Sequence, residues 1–309
     1  MKRSWIADLC LLFVALVWGS TFIIVQAAVQ ILPPLTFNAV RFLSAACLFL
    51  LYLLIKERSL KRLFQRKVLL HGGILGIVLF GGYAFQTIGL LYTTTTNTGF
   101  ITGLSVVLVP FITVWLNRTR LSLQTWIAAI IALFGLYLLT FNGSEMAWNQ
   151  GDLLVLICAI CFALQIALTG RFASLHDTLI LVTIQLGTVG ILAAVCGLIF
   201  EPLLSPAAML SAIADPTVLV ALLVSICLST AFAFWAQTWA QRYTSAARVA
   251  IIYAMEPVFA AITGVTFAHE QLGATAVLGC ALILGSMLAA ELKWKPGKFK
   301  LNIDNTNGH

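Results

Sequence analysis

The chain is poor in charged residues, which make up only 9% of its 309 positions. Soluble domains carry roughly 25%. Hydrophobic residues account for 61% of the chain and its mean hydropathy is +1.01, so a polytopic membrane protein is predicted and a soluble globular fold is excluded. The net charge of +7 does not indicate a nucleic-acid partner, because the basic residues lie in short segments between apolar runs.

Motifs of several enzyme classes are also missing. The sequence has no G-x-x-x-x-G-K-[ST] motif for ATP hydrolysis and no H-E-x-x-H motif, and its four histidines are scattered. We therefore predict no metal, no cofactor and no catalytic residue. All seven cysteines lie inside apolar runs, including the C-x-x-C pair of Cys158 and Cys161. We interpret them as packing residues rather than as a disulfide framework or a zinc site.

Ten apolar runs have the length of membrane spans, for which about 20 residues are needed. They predict an all-α integral membrane protein. In order, the runs are Trp5–Val29, Leu35–Ile55, Val68–Tyr92, Thr98–Leu116, Leu123–Phe141, Asp152–Leu168, Leu179–Phe200, Thr217–Ala240, Ala246–Ala268 and Leu272–Ala290.

The basic residues predict how these runs are oriented. With a cytoplasmic N-terminus, sixteen of the eighteen lysines and arginines fall on the cytoplasmic side, and the outer connections contain none. The other two, Arg41 and Arg248, lie within spans. This alternation is what the positive-inside rule requires. We expect both termini to be cytoplasmic.

Internal similarity predicts two halves of five spans. Two shifts, of 144 and 151 positions, align polar residues between the halves: Asp8-Leu9 with Asp152-Leu153, Gln86-Thr87 with Gln237-Thr238, and Tyr92-Thr93 with Tyr243-Thr244. Because five is an odd number, the second half enters the membrane from the opposite side, which is an inverted-topology repeat. The predicted units are residues 1–145 and 146–292, followed by a basic and polar cytoplasmic tail over 293–309.

An acid in the ninth run is the strongest indication of a functional site. Glu256 lies ten residues after Ala246, about 15 Å along a helix and thus near the bilayer centre. A charged side chain there is costly and marks a site by default. The next residue, Pro257, and Pro110 in the fourth run are the prolines placed deep within spans. We predict that both act as hinges, although a tolerated kink would look the same.

The sequence resembles the EamA family of the drug/metabolite transporter superfamily. The residues that carry the resemblance are Trp18-Gly19-Ser20-Thr21-Phe22, Pro33-Pro34, Arg41-Phe42, the glycine-rich third span and Glu256-Pro257. The resemblance covers about residues 5 to 291. It implies ten helices, inverted repeats and export of small metabolites or drugs across a bacterial inner membrane. In the second half, the string Trp18-Gly19-Ser20-Thr21-Phe22 is replaced by Phe162-Ala163-Leu164-Gln165-Ile166. Any role of the first string is therefore confined to the first half.

Other polar and aromatic residues within spans are candidates for a solute pocket. Aromatic walls with a few amides suit a small amphipathic solute, and the candidates are Gln86, Gln237, Trp235, Trp239 and Tyr253. Interhelical hydrogen bonds and an interfacial aromatic belt are the structural alternatives. Arg41 could meet an anionic group or Glu256, or instead cap carbonyls or bind a lipid phosphate.

These observations predict a secondary transporter, an exporter of amino acids, related metabolites or drugs by alternating access. Proton coupling through Glu256 and facilitated diffusion both stay open. The expected partners are a small solute and membrane lipids, and a homodimer is left open. The alternatives are an integral membrane enzyme that modifies lipids and a membrane scaffold that transports nothing. Solute accumulation in vesicles separates them.

Overall fold

The computed structural model describes residues 2–57, 61–93, 95–118, 121–140, 149–267 and 273–291. Within these ranges the chain is helical and contains no strand. The predicted tail, 293–309, lies outside the described residues.

Fourteen α-helices and one π-helical segment are described, and they follow the predicted runs closely. Their bounds are α1 Lys2–Val29, α2 Pro34–Glu57, α3 Arg66–Gly89, α4 Thr95–Gly103, α5 Ser105–Asn117, α6 Leu123–Thr140, α7 Gln150–Phe172, α8 Thr178–Phe200, α9 Pro206–Ala214, α10 Pro216–Val224, the π segment Ser225–Phe232, α11 Ala233–Ala240, α12 Ala246–Tyr253, α13 Glu256–Phe267 and α14 Ala274–Glu291.

Eight helical stretches of the described residues are long and apolar enough to cross a membrane. Two shorter apolar helices, Leu123–Leu139 and Ala274–Ala289, correspond to the fifth and tenth predicted runs. The protein is therefore a multi-pass integral membrane protein, as predicted, while the count of ten spans stays a prediction. Helix α9 was not predicted. It is short, begins with Pro206 after the N-cap Ser205, and none of its residues is buried.

The fourth and ninth runs are each interrupted near their middle. Helix α4 ends before Leu104 and α5 begins after it, while residues 254–255 separate α12 from α13. A shift of 151 positions places Leu104 on Met255 and Ser105 on Glu256. The prolines do not share this register: Pro257 directly follows its break, whereas Pro110 lies inside α5. The interruption in the fourth run is thus at Leu104 rather than at Pro110.

Helices from the two predicted halves pack directly against each other. The closest helix pairs include α2 with α8, and α3 with both α7 and α8. Close approach depends on small residues, as at Gly76, where a Cβ would collide with Thr188 and the Gln185 carbonyl of α8. The central space between the halves is therefore walled by residues from both.

Candidate functional site

A central cavity lies between α1, α2, α3, α4 and the start of α5 on one side and α7, the π segment, α11, α12 and α13 on the other. Its wall combines aromatic rings with amides, hydroxyls and two charged residues. The residues with polar side chains in the wall are Trp18, Thr21, Arg41, Tyr83, Gln86, Thr87, Thr102, Ser105, Gln165, Ser229, Gln237, Tyr253 and Glu256. In the part of the chain that is described, no three His, Cys, Asp or Glu residues lie together as metal ligands.

Glu256 is the first residue of α13 and faces this cavity directly after the helix break. The break is maintained by Pro257, which has no N–H to donate to a carbonyl one turn earlier. Helix α1 approaches it closely, because a Cβ on Gly19 would collide with the Glu256 carbonyl and with Ala260. Gly19 and Glu256-Pro257, both part of the family resemblance, are therefore neighbours in one helix contact.

Arg41 is 2% exposed and is held by the π segment. Its Nε donates to Thr230 Oγ1 at 2.5 Å, and its Nη2 donates to Ser229 Oγ at 2.9 Å and to the Ser229 carbonyl at 3.2 Å. The guanidinium also lies 4.7 Å from the centre of the Tyr83 ring. Among the contacts of the described residues there is no ion pair between Arg41 and Glu256, so of the predicted roles for Arg41, carbonyl capping is the one observed.

The π segment supplies Arg41 with these partners. A π turn is wider than an α turn and occurs frequently at functional sites. Here the Ser229 carbonyl also accepts a hydrogen bond from Trp18 Nε1 at 2.9 Å. One carbonyl thus connects α1, α2 and the π segment at the cavity wall. The corresponding stretch of the first half, 151 positions earlier, is ordinary α-helix within α3.

The two predicted glutamines both line the cavity but have different partners. Gln86 Nε2 donates to Thr102 Oγ1 at 3.3 Å. Gln237 Nε2 donates to Gln165 Oε1 at 3.0 Å and to Gln241 Oε1 at 3.4 Å. The Gln237 amide therefore belongs to a chain of three glutamines across α7 and α11.

Two polar atoms of the wall have no hydrogen-bond partner among the described residues. Both Tyr253 Oη and Gln237 Oε1 are buried and unpaired. The Tyr253 ring packs edge-on against Trp18, with 4.9 Å between the ring centres. Buried polar atoms are normally satisfied. Both residues belong to the cavity wall, as does Glu256.

Trp235 and Trp239 do not line the cavity, contrary to the prediction. They are four residues apart on α11 and their rings stack, with 6.1 Å between centres. Gln237 lies two residues from each, about 200° around the helix, so it faces the opposite way. The sequence analysis grouped Trp235, Gln237 and Trp239 because they are close in sequence, but the helix turns Gln237 away from the two tryptophans.

The structure also places in the wall residues that the sequence analysis did not single out as pocket residues. Among them are Tyr83, Gln165, Ser229 and Thr102. Tyr83 lies three residues before Gln86 and shares its face of α3, and Gln165 is a polar residue within an apolar span. Both signals were present in the sequence. The Ser229 contact depends on the π segment, which no residue pattern indicated.

Two acids outside the cavity join the ends of helices at equivalent positions. Asp8 of α1 accepts a hydrogen bond from Arg248 Nη2 of α12 at 2.6 Å, as an ion pair. We call these two residues the Asp8 cluster. The structure pairs them, because Asp8 is only 7% exposed and a buried carboxylate requires a partner.

The second acid, Asp152 of α7, is fully buried. Its Oδ1 accepts hydrogen bonds from Thr93 Oγ1 at 2.6 Å and from Asn97 Nδ2 of α4 at 3.3 Å. Asn149 forms a capping box with it at the start of α7. We call these four residues the Asp152 cluster. The shifts of 144 and 151 positions place Asp8 on Asp152 and Asn97 on Arg248, so the two clusters occupy matching places.

The family of this chain is shown by its similarity to known proteins. The model of the EamA-like transporter family matches residues 5–141 and 149–290. The chain belongs to the EamA-like transporter family. This family is part of the drug/metabolite transporter superfamily, and it is a family of transporters rather than of enzymes.

Relatives of this EamA-like chain carry transporter names. A protein of Archaeoglobus fulgidus named as an uncharacterized transporter is 35% identical over 296 residues, which cover 95% of this chain and 88% of that protein. YoaV of Bacillus subtilis, also named as an uncharacterized transporter, is 24% identical over 87% of this chain and 91% of its own. YedA of Escherichia coli K12, named as an uncharacterized inner membrane transporter, is 28% identical over 48% of each chain.

A solved crystal structure supports the fold of this EamA-like chain. It superposes with a TM-score of 0.76 at 21% sequence identity and covers 92% of this chain and 95% of its own. At this identity the likeness concerns the fold alone.

Proposed function

We propose that the protein is a secondary transporter that binds a small amphipathic solute in the central cavity and exports it from the cytoplasm by alternating access. The observation that carries the proposal is a cavity, within a multi-pass membrane protein, whose wall contains Tyr253 Oη and Gln237 Oε1 without protein partners. Polar groups without partners are costly in a low-dielectric interior. A solute that supplies donors and acceptors there would offset that cost.

The solute would meet aromatic and charged groups on opposite helices. Trp18, Tyr83 and Phe162 provide ring surfaces, while Arg41 provides a cation and Glu256 a carboxyl group. Small-molecule sites commonly combine apolar walls with a few polar groups that fix orientation. Amino acids, related metabolites and drugs with both a ring and polar groups match this wall.

Alternating access would use the helix breaks and the two acid clusters. Residues 104 and 254–255 interrupt helices on either side of the cavity, and broken helices near the midplane are typical of transporters built from inverted repeats. We infer that the Asp8 cluster closes the cytoplasmic face and the Asp152 cluster the outer face. Opening one face would then require breaking one cluster while the other stays formed.

The inverted repeat, the cytoplasmic termini and a bacterial inner-membrane location belong to the same proposal. The repeat is supported by the common register of the breaks, since a shift of 151 positions places Leu104 on Met255. The location is supported by the name of the relative YedA. The cavity is lined by residues of one chain, so the proposal does not require a homodimer.

Purified protein in vesicles tests the transport proposal. Cells that overproduce it are first screened for efflux of amino acids and toxic analogues, and the best solute is then used in vesicles. Tyr253→Phe removes only the unpaired hydroxyl, and we expect about a tenfold loss of apparent affinity if that hydroxyl binds the solute. Trp239→Phe is the matched control, since Trp239 lies outside the cavity. A chain that moves none of the screened solutes would overturn the proposal.

Proton coupling has a separate test at Glu256. Glu256→Gln keeps the shape of the side chain but cannot release a proton. If protons drive transport through this group, a pH gradient should accumulate solute with the native protein and not with the variant, while downhill solute flow persists. Accumulation of equal size in both proteins would show that the coupling does not involve Glu256.

A further inference from the structure

A second groove lies at the periphery of the helix bundle, between the end of α2, the start of α8 and the region of α11. It presents two cations, Lys56 and Arg242, above an apolar and aromatic wall that includes Leu48, Tyr52 and Trp235. None of these five residues lines the central cavity. The groove is therefore a separate feature, and the proposed transport of a solute does not use it.

The charges of the groove favour an anionic ligand. Both Lys56 and Arg242 are exposed, and the Lys56 ammonium group lies 5.5 Å from the centre of the Tyr52 ring. The one acid in the wall, Asp177, is the N-cap of α8 and accepts hydrogen bonds from the N–H groups of Leu179 and Ile180 at 3.0 and 3.3 Å. The negative charge of Asp177 stabilises the N-terminus of α8. The groove thus contains two cations and one acid, and that acid already accepts hydrogen bonds from α8.

The arrangement along α2 has the polarity of a membrane interface. Lys56 lies near the end of the helix, and Leu48, which is 47% exposed, lies eight residues earlier, about 12 Å deeper along the axis. Tyr52 lies between them and is 51% exposed. A headgroup phosphate at the level of Lys56 would place an acyl chain beside Tyr52 and Leu48.

We propose that this groove binds an anionic phospholipid of the surrounding leaflet. Lys56 and Arg242 contact the headgroup phosphate, and the first part of an acyl chain lies along Leu48, Tyr52 and Trp235. Basic pockets between membrane helices bind anionic headgroups in this way. The lipid would touch α2 of the first predicted half and α8 and α11 of the second, and would thus join helices from both.

Lipid binding to the detergent-solubilised full chain tests this proposal. The protein is titrated with phosphatidylglycerol, with phosphatidylcholine and with inorganic phosphate, and bound ligand is counted by native mass spectrometry. One basic residue at the membrane surface contributes about fivefold to the binding of anionic lipid. We therefore expect Lys56→Gln and Arg242→Gln each to weaken phosphatidylglycerol binding about fivefold, and the double variant about 25-fold.

Matched variants separate the groove from general surface charge and from misfolding. Arg66→Gln removes an exposed cation outside the groove and should leave binding within about twofold of the native protein. Arg242→Lys keeps the charge and should retain most of the binding. Equal binding of phosphatidylcholine, equal binding of inorganic phosphate, or an equal loss in Arg66→Gln would overturn the proposal. Native-like binding by the double variant would do the same.

Discussion

The two predicted halves have helix breaks and acid clusters at positions that the sequence shifts align, but the residues at these positions differ in charge. The break at Leu104 is followed by Ser105, whereas the break at residues 254–255 is followed by Glu256. The Asp8 cluster is an ion pair, whereas Asp152 accepts hydrogen bonds from neutral side chains. The positions of the breaks and of the two clusters agree between the predicted halves, while the Arg248 cation and the Glu256 carboxyl group have neutral counterparts, Asn97 and Ser105, in the first half. We therefore expect the site to depend more on one predicted half than on the other, and swapping residues between equivalent positions can test this.

The largest expected effect comes from making the second break resemble the first. Glu256→Ser copies the residue found at the equivalent position. A hydrogen bond to a charged group contributes about 1.5–3 kcal/mol, so we expect solute transport in vesicles to fall on the order of 100-fold. The matched variant Ser105→Ala should change transport by less than about twofold. Comparable losses in both variants would mean that the two breaks contribute equally and that the acid has no special role.

The next effect compares the two acids. Asp8→Asn removes the anion of the ion pair with Arg248, and Arg248 is only partly exposed. We expect a loss of about 2 kcal/mol in the free energy of unfolding in mixed micelles, less than for a fully buried pair. Asp152→Asn leaves only neutral partners and should cost about 1 kcal/mol. The double variant Asp8→Asn with Arg248→Gln should recover part of the loss, since it removes the Arg248 cation together with the Asp8 anion.

The sequence predicted the helices well because each is set by a local property. The first three predicted runs and helices α1 to α3 agree within a few residues, since span length and apolar composition determine them. The π segment could not be predicted, because its wider turn is stabilised by contacts of Ser229 and Thr230 with Trp18 and Arg41, on distant helices. A local sequence pattern does not indicate contacts between distant helices.

The candidate site was predictable in part for the same reason. Glu256 and Gln237 were identified because polar residues are rare in spans, and both line the cavity. Trp235 and Trp239 were grouped with them by proximity, yet a helix turns them to another face. The pairing of Asp8 with Arg248 joins residues 240 positions apart. Only the packing of α1 against α12 brings them together.

A third change makes the Asp152 cluster resemble the Asp8 cluster. Asn97→Arg introduces a cation at the position equivalent to Arg248, beside the Asp152 carboxylate. An added partly buried ion pair worth about 1 kcal/mol should slow amide hydrogen exchange at the starts of α4 and α7 about fivefold. Asn97→Gln, which stays neutral, is the control. If exchange is unchanged in the arginine variant, then ionic and neutral contacts close that end equally well.

The smallest effect is the response of the two clusters to salt. Ions screen attraction between charges that solvent can reach, and the Arg248 side chain is 28% exposed. Raising ionic strength from about 0.05 to 0.5 M should speed amide exchange at the starts of α1 and α12 about twofold. Exchange at the starts of α4 and α7 should not change, because Asp152 is fully buried and its carboxylate accepts hydrogen bonds from neutral groups, the side chains of Thr93 and Asn97 and the Asn149 N–H. Equal acceleration at both ends would mean that salt acts on the whole bundle, and the ion pair would then have no separate role in holding its end closed.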